Sequence, residues 1–241
     1  MPRKTTIVLV HGAFVDGSCW ASVVRILLDR GHAVLVPSVP NRSLIGDAAY
    51  IRSFVEQIDE PVLLVGHSYG GAVITVAGVA ENVVGLVYVA GYALEEGESL
   101  GQLQGRFPES ELASNLVYAS FPSGRTEPGI DVSVRISAFY DILAEGMPPE
   151  AAQVMALSQR PLAAVAFGEA APVAAWESRP GWGIVASNDR TINPVVERFA
   201  YSRAALLEVT EVEAPHLVMI TKPDAVVAVI ETALDALEAS S

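Results

Sequence analysis

One serine in the chain stands between two glycines in a way that suggests chemistry. In LLVGHSYGGAV, Leu63 to Val73, an apolar run halts at Gly66. Ser68 follows two residues later, Gly70 two after that, and the apolar run then resumes. G-x-S-x-G between a strand-like and a helix-like segment is the pattern of a sharp, strained turn that lifts a hydroxyl over the end of a sheet. A side chain at Gly66 or Gly70 would collide there with the neighbouring strand or helix. The hydroxyl also falls near the N-terminus of the next helix, whose amides and dipole favour negative charge. Without chemistry, the same residues are a glycine-rich turn with an incidental serine.

A serine hydroxyl is a poor nucleophile without a base. Four histidines are available: His11, His32, His67 and His216. His67 adjoins Ser68, where consecutive side chains diverge. His32 follows Gly31 at a helix end and should face solvent. His11 ends the first apolar segment and should brace its loop by hydrogen bonding. His216 lies in EAPHLVMI, just past the apolar segment AALLEVT. In a parallel sheet that is the carboxyl edge, the same edge as Ser68. Elimination and position therefore select His216 as base, against the plain reading of a loop histidine.

An acid must then orient the imidazole and stabilise its charged form. Asp189, three residues past Ala186 in GWGIVASNDRTINP, falls at the same edge and precedes the histidine in sequence. Its alternative role is an Asx turn before Pro194. Asp131 and Asp141 lie in a less regular stretch, and Asp224 opens a helix that it is expected to cap. Acyl transfer also needs donors for a developing oxyanion. The backbone N–H of Tyr69 is one. The loop HGAFVDGSCW supplies the other, from Ala13 or, as the close alternative, from Phe14. Phe14 adjoins that loop and is the expected substrate-binding aromatic. Trp20, Phe139, Tyr140, Phe167 and Trp182 read as core first and pocket lining second.

These residues need elements to hold them. Apolar runs at Thr6–Val10, Ala33–Val36, Val62–Val65, Val83–Ala90, Gly183–Ala186 and Ala205–Val212 read as strands. Between and after them, Cys19–Arg30, Asp47–Ile58, Gly71–Ala80, Pro194–Arg203 and Ala225–Leu237 read as helices. Trp20, Val23, Val24, Leu27 and Leu28 share one face of the first; Tyr50, Ile51, Phe54, Val55 and Ile58 share one face of the second. Strands that are apolar throughout and alternate with helices make an α/β fold with a parallel sheet covered on both faces. From Tyr92 to Pro172 the rhythm breaks, apart from a helix expected at Pro148–Gln159. The organisation is thus a core of residues 1–91 and 173–241 with a cap or lid insertion at 92–172.

Composition narrows the function. The chain has 241 residues, 51% of them hydrophobic and 18% charged, which suits one domain with a large core. A net charge of -13 disfavours a nucleic-acid partner. No apolar run reaches the length of a membrane span, and the N-terminal MPRKTTIVLVHG is too short in its apolar part for a signal segment. The single Cys19 cannot form an intramolecular disulfide, so a reducing, cytoplasmic setting is expected. The histidines lack ligand-like spacing and no G-x-G-x-x-G follows a strand, so neither a metal nor a nucleotide cofactor is expected. A homodimer is the base-rate expectation for assembly.

With these segments identified, the chain resembles the α/β-hydrolases, in particular the small branch of bacterial esterases, plant methylesterases and hydroxynitrile lyases. HGAFVDGSCW, GHSYGGAVI, LVYVAGYALEEGESL, SQRPLAA, WESRPGWGIVASNDRTINP and PHLVMITKPDAV carry the resemblance from about residue 5 to the C-terminus. It implies an α/β-hydrolase fold: a six-stranded, mainly parallel sheet, helices on both faces and a small cap, without the two leading antiparallel strands of larger members. Two departures bear on chemistry. The lyases of this branch carry Thr where this chain has Gly12, and a Lys that assists cyanide departure where it has Leu217. Relatives that open epoxides or remove halide place Asp where this chain has Ser68. The resulting expectation is a cofactor-free serine esterase acting on a small-molecule ester through an acyl-enzyme. The alternatives are a non-hydrolytic lyase or specialised natural-product enzyme on the same fold, or a receptor that retains the three residues.

Overall fold

The computed structural model describes residues 5–124 and 126–239. In chain order the elements are β1 (Thr6–Val10), α1 (Ala21–Asp29), β2 (Ala33–Leu35), α2 (Leu44–Val55), β3 (Val62–His67), α3 (Tyr69–Ala77) and β4 (Val83–Val89). There follow α4 (Leu100–Gln104), β5 (Leu116–Phe121), β6 (Gly129–Val134), α5 (Ile136–Leu143), α6 (Pro149–Leu157) and β7 (Leu162–Ala163). The chain then runs through β8 (Gly181–Ala186), α7 (Pro194–Arg203), β9 (Glu208–Val212), α8 (Val218–Thr221) and α9 (Pro223–Ala239).

Six strands form one parallel sheet in the order β2-β1-β3-β4-β8-β9. β1, β3 and β8 are buried along their whole length, because each has a strand on both sides and helices above and below. α1 packs on α9, and α2 packs on α3, giving the two helical layers. Strand order reverses between β1 and β3: the chain leaves β1 toward β2 on one side and returns to β3 on the other. At such a switch point the loops after the two strands part and leave a crevice at the carboxyl edge. Val10 of β1 pairs with Gly66 of β3, so the HGAF loop and the Ser68 turn open side by side.

Several boundaries differ from the sequence reading, each for a local reason. Helix α2 begins at Leu44 and not at Asp47, because the Ser43 hydroxyl accepts from Gly46 N–H and caps it. That places Asp47 inside the helix, where its carboxylate accepts from the Arg42 N–H and, at 2.7 Å, from the Tyr69 hydroxyl. β9 begins at Glu208 and not at Ala205, since Ala205 turns the chain at φ 48°. Asp224 lies in the first turn of α9, which starts at Pro223. The edge strands β2 and β9 are half-exposed, unlike the apolar strands expected, because each has a strand on one side only. Leu28 and Tyr50, placed by periodicity on apolar faces, are exposed.

The stretch between β4 and β8 contains more order than its composition suggested. β5, β6 and β7 form a small antiparallel sheet, with α5 and α6 packed together beside it. Its ties to the sheet's carboxyl edge are specific. Arg42 donates to Asp131 at 2.7 Å and to the Pro161 carbonyl at 3.0 Å. The Ala163 N–H donates to the Asn41 carbonyl, and the Leu217 N–H to that of Leu143. The Thr191 hydroxyl donates to the Ile142 carbonyl. This layer is therefore fastened to the loops that carry the candidate site. Among the described residues, no helix is long and apolar enough to cross a membrane.

Candidate active site

Ser68 occupies the first position after β3 with φ 54° and ψ −122°, a strained backbone for a residue with a side chain. The glycines around it are required by space. A Cβ on Gly66 would lie 2.5 Å from the Gly70 carbonyl oxygen, and one on Gly70 would overlap the Val10 carbonyl. Gly12, in the neighbouring loop, is equally constrained, since its Cβ would come within 2.7 Å of the Ser68 Cβ. The turn is pinned by main-chain bonds: the Ser68 N–H donates to the Val89 carbonyl, and the Ser68 carbonyl accepts from Gly71 and Tyr92.

Three of the residues singled out in the sequence come together at this edge. His216 Nε2 lies 2.9 Å from Ser68 Oγ, and His216 Nδ1 lies 2.6 Å from Asp189 Oδ2. All three side chains are buried. An ionised carboxylate only accepts, so Nδ1 carries the proton and Nε2 is left to accept from the serine hydroxyl. Asp189 also makes the Asx turn considered as its alternative role: Oδ1 accepts from the N–H groups of Thr191 at 2.6 Å and Ile192 at 2.9 Å. The two functions use different oxygens. The turn fixes one, which aims the other at the imidazole.

The loop after β1 lies across the crevice. Phe14 has φ 66°, and its N–H donates to the Arg160 carbonyl at 2.9 Å. The Ala13 N–H has no acceptor among the described residues. Tyr69 is the first residue of α3, and an N–H at that position has no intrahelical acceptor. Two donors with unfilled capacity thus flank Ser68. The Tyr69 ring points away from the crevice to Asp47, and the Phe14 ring is buried.

The other histidines have structural duties. His11 donates from Nδ1 to the Gly12 carbonyl and accepts at Nε2 from the Val39 N–H, so it braces the loop. Burial holds it below the usual histidine range. His32, expected in solvent, sits half-buried against Glu231 at 3.1 Å. His67 is fully buried between Trp20 and His216, with ring centroids 6.3 and 4.6 Å away. Its Nε2–H donates to the His216 carbonyl at 3.0 Å and supports the main chain of that residue. Burial, and then the neighbouring His216, hold it well below the usual range. Asp131 is paired with Arg42 and Asp141 is exposed, so neither reaches the site. Trp20, Phe139 and Trp182 are core residues.

Two contributors escaped the sequence reading. Arg160 enters through its carbonyl, which no side-chain pattern reveals. Glu197 is fully buried in α7, and burial followed by Asp189 raises its carboxyl well above the usual range. It lies on the same helical face as the buried Val196, Ala200 and Tyr201. An acid on an apolar stripe was the available signal. Among the described residues, no group of three or more His, Cys, Asp or Glu is placed to hold a metal ion.

Comparison with known proteins gives a consistent picture. The model of the alpha/beta hydrolase family matches residues 7–229. A carbendazim-hydrolyzing esterase from Nocardioides sp. is 35% identical over 127 residues, which cover 46% of this chain and 51% of that protein. The match thus spans about half of that relative. An alpha/beta hydrolase of Aspergillus novofumigatus, nvfD, is 26% identical over 254 residues, covering 95% of this chain and 96% of its own. Among solved structures, polyneuridine aldehyde esterase superposes with a TM-score of 0.83 at 16% identity, over 96% of this chain and all of that one. At that identity the superposition speaks for the fold.

Proposed function

The chain belongs to the alpha/beta hydrolase family, and from that premise we propose that it is a serine hydrolase that cleaves small carboxylic esters through an acyl-enzyme. The observation that carries this reading is the unbroken chain from Ser68 Oγ through His216 to Asp189, at 2.9 and 2.6 Å. In it, Ser68 attacks the ester carbonyl while His216 Nε2 takes the hydroxyl proton. The imidazolium then protonates the departing alkoxide. Asp189 stays ionised and stabilises that imidazolium. The N–H groups of Ala13 and Tyr69 receive the oxyanion of each tetrahedral intermediate. Water, activated by the same imidazole, releases the acid and restores the serine.

Residues 92–172 form the cap that shapes the pocket, and Phe14 contributes its apolar wall. Leu217 beside His216 is buried and apolar and offers no ammonium to a leaving cyanide, which favours ester cleavage over the lyase reading. The single cysteine, buried with its thiol pushed up by burial, fits a reducing cytoplasmic setting. The test is hydrolysis of p-nitrophenyl esters from acetate to octanoate by the wild type and by Ser68→Ala. The proposal expects turnover by the wild type that the variant lacks. Absence of turnover by a folded wild type across the series would refute a general esterase.

A further inference from the structure

Behind Asp189 lies a second carboxyl group that the ester-cleaving reading does not use. Glu197 on α7 is fully buried. Its Oε2 accepts from the Ala186 N–H at 3.1 Å, at the end of β8, and its Oε1 has no hydrogen-bond donor among the described residues. The ionisable groups around it are Asp189 from the loop after β8, Arg198 and Tyr201 from α7, and Tyr92 from the segment after β4. Arg198 is exposed and held by Glu211, and its pull toward an ionised Glu197 is the weakest of the influences on that carboxyl. The Tyr201 oxygen accepts from the Gly91 N–H and the Tyr92 oxygen from the Gln104 amide.

We propose that Glu197 is held as a neutral carboxylic acid whose proton is donated to Asp189, making it a positioning residue for that carboxylate. The reasoning is one of allocation. The Ala186 N–H donates to Glu197 and the Ala186 carbonyl accepts from the Asp189 N–H, so the two acids are anchored on one residue in a dry site, where both cannot ionise cheaply and one keeps a proton. Asp189 has three donors, from Thr191, Ile192 and His216, whereas Glu197 has one. The negative charge therefore settles on Asp189 and the proton on Glu197. A proton on Glu197, on the Oε1 that has no donor of its own, gives that buried oxygen a role as donor toward Asp189. That bond draws charge out of Asp189 and lessens its pull on the His216 imidazolium. Burial acting on the carboxyl, reinforced by Asp189, favours the same protonation state.

This inference rests on the reading of Ser68, His216 and Asp189 as the reacting groups, but half of its test does not. The first measurement is denaturant unfolding of the wild type and Glu197→Gln from pH 5 to pH 8. Above the ordinary value of 4.5 and up to its raised value, folded Glu197 keeps a proton that the unfolded chain has lost. Rising pH then favours unfolding, by about tenfold in the unfolding constant per pH unit. Glu197→Gln lacks this slope, so the two proteins should diverge with pH. Parallel pH dependence would mean an ionised Glu197 and would overturn the proposal.

The second measurement is the acid limb of the pH profile of kcat/KM. Glu197→Ala removes the donor to Asp189, restores its full charge and should move the limb to higher pH. Glu197→Gln replaces the acid with a neutral donor and should leave the limb in place. If Glu197 were ionised, the Gln variant would remove a negative charge near His216 and lower the limb by about one pH unit. That result, or an Ala limb at the wild-type position, would overturn the positioning role. Should Glu197→Ala fail to fold, Glu197→Met, which fills the space and likewise cannot donate, takes its place with the same expected shift. Should Ser68→Ala retain turnover, the ester-cleaving reading fails, while the unfolding comparison still decides the protonation of Glu197.

Discussion

Asp189→Asn isolates what the acid contributes, because the structure dictates how the new amide must sit. Asp189 Oδ1 accepts two backbone N–H bonds, at 2.6 and 2.9 Å, while Oδ2 faces His216 Nδ1 at 2.6 Å. Turning the amide nitrogen toward the two N–H groups would set donor against donor and forfeit about 1–3 kcal/mol at each. The amide oxygen therefore keeps the turn and the NH2 group faces the imidazole. Nδ1 must then accept, which moves the ring proton to Nε2, where it blocks proton transfer from Ser68. In a serine protease with the same geometry the corresponding change costs about 10⁴ in kcat, or about 5.5 kcal/mol of barrier. A comparable loss is expected here in p-nitrophenyl ester turnover. The denaturation midpoint should correspond to less than ~1 kcal/mol of lost stability, since the turn survives. A variant that keeps its kcat within tenfold of wild type would refute this account of how Asp189 acts.

Two further expectations concern the frame. Gly66→Ala places a Cβ 2.5 Å from a backbone oxygen that cannot yield, so urea unfolding should show a loss of about 3 kcal/mol or more; a loss under ~0.5 kcal/mol would contradict the packing described. Arg203 grips the buried Glu98 with bonds of 2.6 and 3.1 Å and also donates to the Ala93 carbonyl. Arg203→Met should cost about 3 kcal/mol by the same assay, most of it from a carboxylate left underpaired, and Glu98→Gln on top of it should cost little more.

The site was legible where chemistry and backbone geometry leave the same mark. Gly66 and Gly70 mark a turn no other residue fits, and the ends of the segments read as strands place Ser68, Asp189 and His216 at one edge. The sheet was legible because its central strands are apolar throughout. The small antiparallel insertion was less so. β6 carries the alternation Ile130, Val132, Val134, with the last two buried, but its partner β5 is half-exposed and reads as irregular. α5 buries Phe139, Ile142 and Leu143 at helical spacing within eight residues, too few to stand out amid glycine and proline. Which of the Ala13 and Phe14 N–H groups is taken up depended on where Arg160 presents its carbonyl, a main-chain contact across 146 residues that side-chain identity does not encode. Glu197 was hidden for the opposite reason. In sequence its one mark is an acid on the apolar stripe of Val196, Ala200 and Tyr201, a mark that its burial explains.

The central claim is that Ser68 becomes covalently acylated during turnover. Treating the protein with a fluorophosphonate and measuring intact mass, then mapping the modified peptide, tests it most directly. The account predicts one phosphonyl group per chain, on Ser68, with ester turnover lost in proportion to labelling and labelling strongly slowed in His216→Ala. Full ester turnover in a protein labelled at Ser68, or turnover in a protein that Ser68-directed reagent never modifies, would contradict it.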